Sequence, residues 1–320
     1  MVRTFISRRS VVTSTLGLVG SGLLRRGYAQ QAPTEFRVGY QKAGLLAVAK
    51  EQGVFERRLK PMDVQGVQWT EFEFGVPMMK AMSAGAIDFG WAGDTPAIFA
   101  QSAGAKFVYT ACMPASAHGL LVAEGSAIRS LADIKGKKIA FARGTSAHLV
   151  TLRLLAKAGL TYNDIVPVYL PPADGAKALV GGSVDAWVVW DPFLALAQSR
   201  QKVRVIATTK DIVNGNSVYV ANPDFAAKHP RALAAVMEEV KRVTEWAAQN
   251  RDQFAEKLAA AIGIDRDVER LAVGRTDLVV GPITPTIVAQ LQETADAFEK
   301  LRLIPEPVDI RSAVWSSPGN

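Results

Sequence analysis

One cysteine, Cys112, stands in a chain of 320 residues, which excludes an internal disulfide and a lipid-bearing cysteine behind a cleaved leader. Histidine is scarce as well. The three present, His118, His148 and His229, form no metal-ligand spacing, so the sequence implies no metal and no cofactor. An apolar run long enough to cross a bilayer is also missing, because VVTSTLGLVGSGLL has 14 residues and three glycines. The formal charge of +7 is no true basic excess: Arg3, Arg8, Arg9, Arg25 and Arg26 all fall in the first 29 residues. Removing those five from the 37 basic residues leaves 32 against 30 acids, a net of +2, which is not the balance of a nucleic-acid-tracking protein.

What the first residues do carry is an export signal. MVRTFISRRS is a basic segment, the apolar run follows, and Gly27 and Ala29 are small residues ahead of a cleavage after Ala29. Ser7-Arg8-Arg9 resembles the start of a twin-arginine signal, while Val11, Val12 and Thr13 depart from its usual tail, so the export route stays open. Residues 1–29 are therefore expected to be removed and the mature protein to be periplasmic.

Beyond the leader, β-rich and helical runs alternate: FRVGY then AGLLAVAKEQ, MDVQGVQW then GVPMMKAMSAG, IDFGWAG then TPAIFAQSAG. A second series begins at KKIAFARGTSAH and continues through DIVPVYL, VDAWVVW and PFLALAQS. The stretch from Ala81 to Gln101, AMSAGAIDFGWAGDTPAIFAQ, returns 97 residues later as ALVGGSVDAWVVWDPFLALAQ. This period is too long for a solenoid and marks two α/β lobes, each a mainly parallel sheet flanked by helices. Crossings between lobes are expected in GLLVAEG and SVYVANP, a two-strand hinge. The expected division is 30–123 plus 218–320 for the first lobe and 124–217 for the second. From Pro230 a helix carries Leu233, Val236, Met237, Val240, Val243 and Trp246 on one stripe, ordinary core packing.

Both copies of the repeat end a strand with an aspartate ahead of a proline, Asp94-Thr95-Pro96 and Asp191-Pro192. These are strand-to-helix junctions, good N-caps on one reading. They also lie at the carboxyl ends of the strands, where ligands of open α/β sheets bind.

Taken together, GYQK, GDTP, GTSAH and WDPF, with SLADIKGKKIAFARGTSAH and the closing VDIRSAVW, resemble the periplasmic substrate-binding proteins of ABC importers. The resemblance spans the mature chain and is closer to the aliphatic sulfonate binders than to the taurine binders. It implies a two-lobed binding protein of the second class, acting as a monomer, with a membrane permease as partner and no chemistry done on the ligand. The residues it points to are Gln41, Phe74, Gly93, Asp94, Thr95, Thr145, Ser146, His148, Trp190 and Asp191. Thr145-Ser146-Ala147 departs from the run of serines common in relatives and puts a hydroxyl at position 147 in doubt.

Elementary chemistry agrees with an anion site. A sulfonate stays ionised and offers only acceptor oxygens, so N–H groups and hydroxyls at helix N-termini suit it. Thr95 opens one helix, Thr145 and Ser146 another, and Gln41 adds an amide. Trp190 offers an apolar face to an alkyl tail. Lys42 and Arg143 can supply full charges or simply be solvated. Other readings of the same fold are taurine, nitrate, an aromatic carboxylate or a pyrimidine precursor as ligand, or a desulfinase-like enzyme that would need a cleft cysteine.

Overall fold

A computed structural model describes residues 35–62, 64–212 and 215–316, so the leader lies outside the described residues. The first lobe opens with β1 (Glu35–Tyr40), α1 (Leu45–Glu51), α2 (Val54–Leu59), β2 (Gly66–Glu71), α3 (Gly75–Ser83), β3 (Phe89–Gly93), α4 (Asp94–Ser102) and β4 (Val108–Pro114). The second comprises β5 (His118–Ala123), β6 (Lys138–Phe141), α5 (Ser146–Lys157), β7 (Val166–Tyr169), α6 (Pro172–Val180), β8 (Ala186–Trp190), α7 (Phe193–Arg200) and β9 (Val203–Thr208). The chain then returns through β10 (Asn216–Ala221), α8 (Pro223–Lys228), α9 (Pro230–Gln249), α10 (Arg251–Ile262), α11 (Arg266–Gly274) and α12 (Pro285–Lys300).

The two five-stranded sheets are ordered β2-β1-β3-β10-β4 and β7-β6-β8-β5-β9. In the first, β1 pairs parallel with β2 and β3, while β10 runs antiparallel between β3 and β4. The second repeats the plan, with β5 antiparallel between β8 and β9. Four strands of each sheet thus point one way and one points back. The internal repeat falls on α3-β3-α4 and α6-β8-α7.

The crossings differ from the expectation. GLLVAEG and SVYVANP are not hinge strands; they supply β5 and β10, the reversed strands inside the two sheets. The lobes therefore divide as 35–114 plus 216–316 and 118–208, and the chain crosses once between β4 and β5 and once between β9 and β10. Both runs are apolar at successive positions and buried along nearly their whole length, as a strand covered on both faces requires. The crossings are tied side by side, Ala115 N–H donating to Gly215 O at 3.2 Å.

The stripe on α9 packs as expected: Leu233, Val236, Val240 and Val243 are buried in the first-lobe core with Phe36, Phe55 and Phe89. Two helix contacts bridge the lobes. Leu149 of α5 joins the core of α4 and α12, and α11 packs Val268 and Ala272 on Ala195 of α7.

Candidate functional site

Because the repeat puts β3-α4 and β8-α7 at equivalent places, both junctions face the space between the lobes. A cleft of about 420 Å³ opens there, lined among others by Gln41, Lys42, Trp91, Ser116, Trp190 and Asp191. That volume suits a small organic molecule. Trp190 is half-buried on the wall and meets Phe193 edge-on, ring centroids 5.8 Å apart. Trp187, three residues earlier in β8, faces the opposite side and is fully buried against Gly175.

The N-termini of α4 and α5 approach one another beside this space. A β-carbon built on Gly93 would stand 3.6 Å from Ser146 Cβ and 3.7 Å from its Oγ. The hydroxyls there are less available than the sequence suggests. Thr145 Oγ1 donates to Ala142 O at 2.7 Å, and Thr95 Oγ1 donates to Asp94 Oδ1 at 3.0 Å. Both threonines are buried.

Ser146 is half-buried, and its hydroxyl is committed too. His118 Nδ1 lies 2.8 Å from Ser116 O, an atom that can only accept, so Nδ1 carries the hydrogen. Nε2 is then an acceptor, and the Ser146 hydroxyl donates to it at 2.8 Å. Burial lowers the His118 pKa to about 4, with the Ser116 bond opposing, so the ring is neutral near pH 7. Ser146 Oγ thus offers lone pairs. The donors left at this helix start are backbone: the Ser146 and Ala147 N–H groups have no partner among the described residues.

His148 is not among the residues that line the cleft. It is fully buried, accepts a hydrogen bond from Gly144 N–H at 3.3 Å, and is walled by Phe99, Phe141, Tyr162, Tyr169 and Phe298. The helix turns this position into the core because it follows Ser146 by two residues, about 200° round the axis. Burial drives its pKa down to about 3. Phe74 precedes α3 and is half-buried, with Phe72 and Glu73 lining the cleft instead.

Each aspartate has a structural partner. Asp94 accepts from Asn216 N–H at 2.8 Å, fastening the start of β10 to α4, and its carboxyl pKa is raised by burial. Asp191 accepts from Ala195 N–H at 3.0 Å and faces Arg275 Nη1 at 3.4 Å. Arg275 also donates to Gln198 Oε1 at 2.6 Å, so one first-lobe guanidinium holds two second-lobe side chains. Burial pushes Asp191 up to about 6 despite Arg275 and the amide, and pushes Glu269 up to about 7 with help from Asp191.

Gln41 Nε2 donates to Trp91 O at 2.9 Å, which orients the amide on the cleft wall. Lys42 is paired with Glu71 at 3.3 Å, and Arg143 lies over the Tyr169 ring. Cys112 is buried in β4, its thiol pushed up to about 11, so it offers no thiolate to the cleft. His118, Arg275 and Glu269 escaped the sequence reading. The only signal for His118 was its place at the head of an apolar strand, two residues after a serine.

Comparison with known proteins follows the same lines. Residues 75–266 match the family of periplasmic substrate-binding proteins of phosphonate ABC transporters. A curated relative from Escherichia coli K12, named for binding aliphatic sulfonates, is 37% identical over 291 residues, covering 90% of each chain. The crystal structure of the periplasmic aliphatic sulphonate binding protein SsuA from Escherichia coli superposes with a TM-score of 0.82 at 36% identity, over 89% of this chain and 93% of that one. The alkanesulfonate-binding protein SsuA of Xanthomonas axonopodis pv. citri, bound to MOPS, gives a TM-score of 0.84 at 34% identity, over 89% and 99%.

Proposed function

Since the chain belongs to the periplasmic substrate-binding proteins of ABC transporters, in the branch of the aliphatic sulfonate binders, we propose that it captures alkanesulfonates in the cleft between its lobes and hands them to an importer. It is a binding protein and not an enzyme. The carrying observation is the likeness to sulfonate binders over nine-tenths of the chain, joined to a cleft lined by the Gln41 amide and the Trp190 and Phe193 rings.

The anion is held by the free N–H groups that open α5 and by the Gln41 amide, and the tail lies on Trp190 and Phe193. Gly93, with no side chain, lets the two helix starts come together over it. Asp94, Thr95 and Thr145 support this arrangement from behind. Asp191 joins the lobes through Arg275. The protein works as a periplasmic monomer, cleaved near Ala29, with a membrane permease as partner.

Titration calorimetry of residues 30–320 with ethanesulfonate, octanesulfonate, sulfate, nitrate, methylphosphonate and benzoate tests this reading. Saturable heats for the alkanesulfonates, with sulfate and nitrate silent, are expected. Silence for every sulfonate alongside binding of another member would overturn the substrate assignment.

A further inference from the structure

Behind the cleft wall lies a second, smaller cavity of about 60 Å³, room for a ligand's terminal group rather than a whole molecule. Ala43, Trp91, Ser116, Asp191 and Pro192 line both spaces, so the cavity adjoins the cleft. Glu269 of α11 lines it. Its side chain is 2% exposed, and Oε2 is buried without a hydrogen-bond partner. A buried carboxyl oxygen without a partner is costly, and sites that receive a ligand are where such a cost is tolerated.

Resting on the sulfonate reading, we propose that this adjoining cavity is a subsite for the protonated amine of a zwitterionic aminoalkanesulfonate, received by Glu269 with Trp91 alongside. The charges favour a cation there. Asp191 is matched by Arg275, which leaves Glu269 as the one unmatched carboxyl at the cavity. An ionised Glu269 facing an ammonium brings the set to neutrality, whereas the empty site reaches neutrality by keeping a proton on Glu269. An indole beside an ammonium adds attraction through its π face. A divalent metal fits less well, since no group of three or more metal-ligating side chains occurs among the described residues.

The other charges packed around Glu269 have partners elsewhere. On α10, Arg251 donates to the carbonyls of Val273 and Thr276, Asp252 pairs with Arg270, and Glu256 pairs with Arg266. On α11 itself Asp267 pairs with Arg270. Arg275 turns to Asp191 and Gln198 of the second lobe, and Lys42 on the cleft wall to Glu71.

The test compares ethane-, propane- and butanesulfonate with their ω-amino counterparts by calorimetry at pH 6 and pH 8. An amine of matching length should bind at least tenfold tighter than its methyl-ended counterpart at pH 8. It should lose about tenfold at pH 6, because Glu269 must then release a proton to receive it. The plain alkanesulfonates should change little between the two. Glu269→Gln should erase the amine preference while leaving butanesulfonate binding intact. Equal affinities for amine and alkane at every length, unmoved by pH, would overturn the subsite and leave the sulfonate reading standing. Failure of every sulfonate to bind would overturn both.

Discussion

His118 Nε2 and Ser146 Oγ stand 2.8 Å apart, and the proton between them belongs to the serine. The Ser116 carbonyl decides this from the other side of the ring, because it forces the hydrogen onto Nδ1. A hydroxyl at the start of α5 is thereby converted from a donor to an acceptor.

It follows that Ser146→Ala should weaken alkanesulfonate binding by less than about threefold, since it removes no donor that faces the ligand. Ser146→Pro should cost tenfold or more. Proline is tolerated at a first helical position, and Thr145 ahead of it already has the extended backbone that proline requires, φ −109° and ψ 171°. The substitution therefore removes chiefly the N–H. Calorimetry with ethanesulfonate on both variants measures the difference.

Trp190→Ala should separate tail from head. Loss of the indole face weakens octanesulfonate far more than ethanesulfonate, because apolar burial scales with area at about 25 cal/mol per Å². Equal losses for both ligands, read as dissociation constants, would contradict the role given to this residue.

Gly93→Leu should abolish binding while leaving the fold intact. Gly93 has an ordinary extended backbone, φ −60° and ψ 158°, so a side chain brings no strain. It would, however, fill the space against Ser146 and hold the helix starts apart. An unchanged circular dichroism spectrum with no ligand heat is the expected pair of results.

Asp94→Ala should act on stability first. It strips Asn216 N–H and the Thr95 hydroxyl of their acceptor, and each such orphaned group costs about 1–3 kcal/mol. Denaturant unfolding without ligand measures the loss.

Glu269 makes the empty protein sensitive to alkali. Its folded pKa of about 7 lies above the unfolded value of 4.5, so the folded state binds more protons between the two. Stability is therefore full below the lower value and declines as pH rises to about 7, by up to about 3 kcal/mol. Asp191, raised to about 6, acts in the same direction. Glu269→Gln should raise the melting temperature at pH 8 and flatten the pH profile.

The repeat was the most legible part of the sequence, because an aspartate and a strand recur at one spacing and the spacing survives folding: α3-β3 and α6-β8 occupy the two copies. Strand direction was not legible. GLLVA and SVYVA read as continuous apolar runs, and such a run says that a strand is buried without saying which sheet takes it or which way it points. The sequence reading marked Thr95, Thr145, Ser146 and Asp94 as ligand-binding groups. It could not reveal that three of the four satisfy one another or nearby backbone, nor that His118, isolated in the text, is brought to Ser146 by the pairing of β5 with β8. Glu269 and Arg275 carried no signal in the sequence, since Asp191, the partner of Arg275, is 84 residues away in the chain.

The reversed strand β10 also sets an order of assembly. It is the sole strand joining β4 to the rest of the first sheet. While the chain is being made, β2-β1-β3 can pair early, but β4 has no neighbour until residue 221 has appeared, and by then all of the second lobe is already out. The second lobe is continuous and can close on itself first. The lobe made first is thus completed last, and the first sheet stays unfinished until most of the chain has been made.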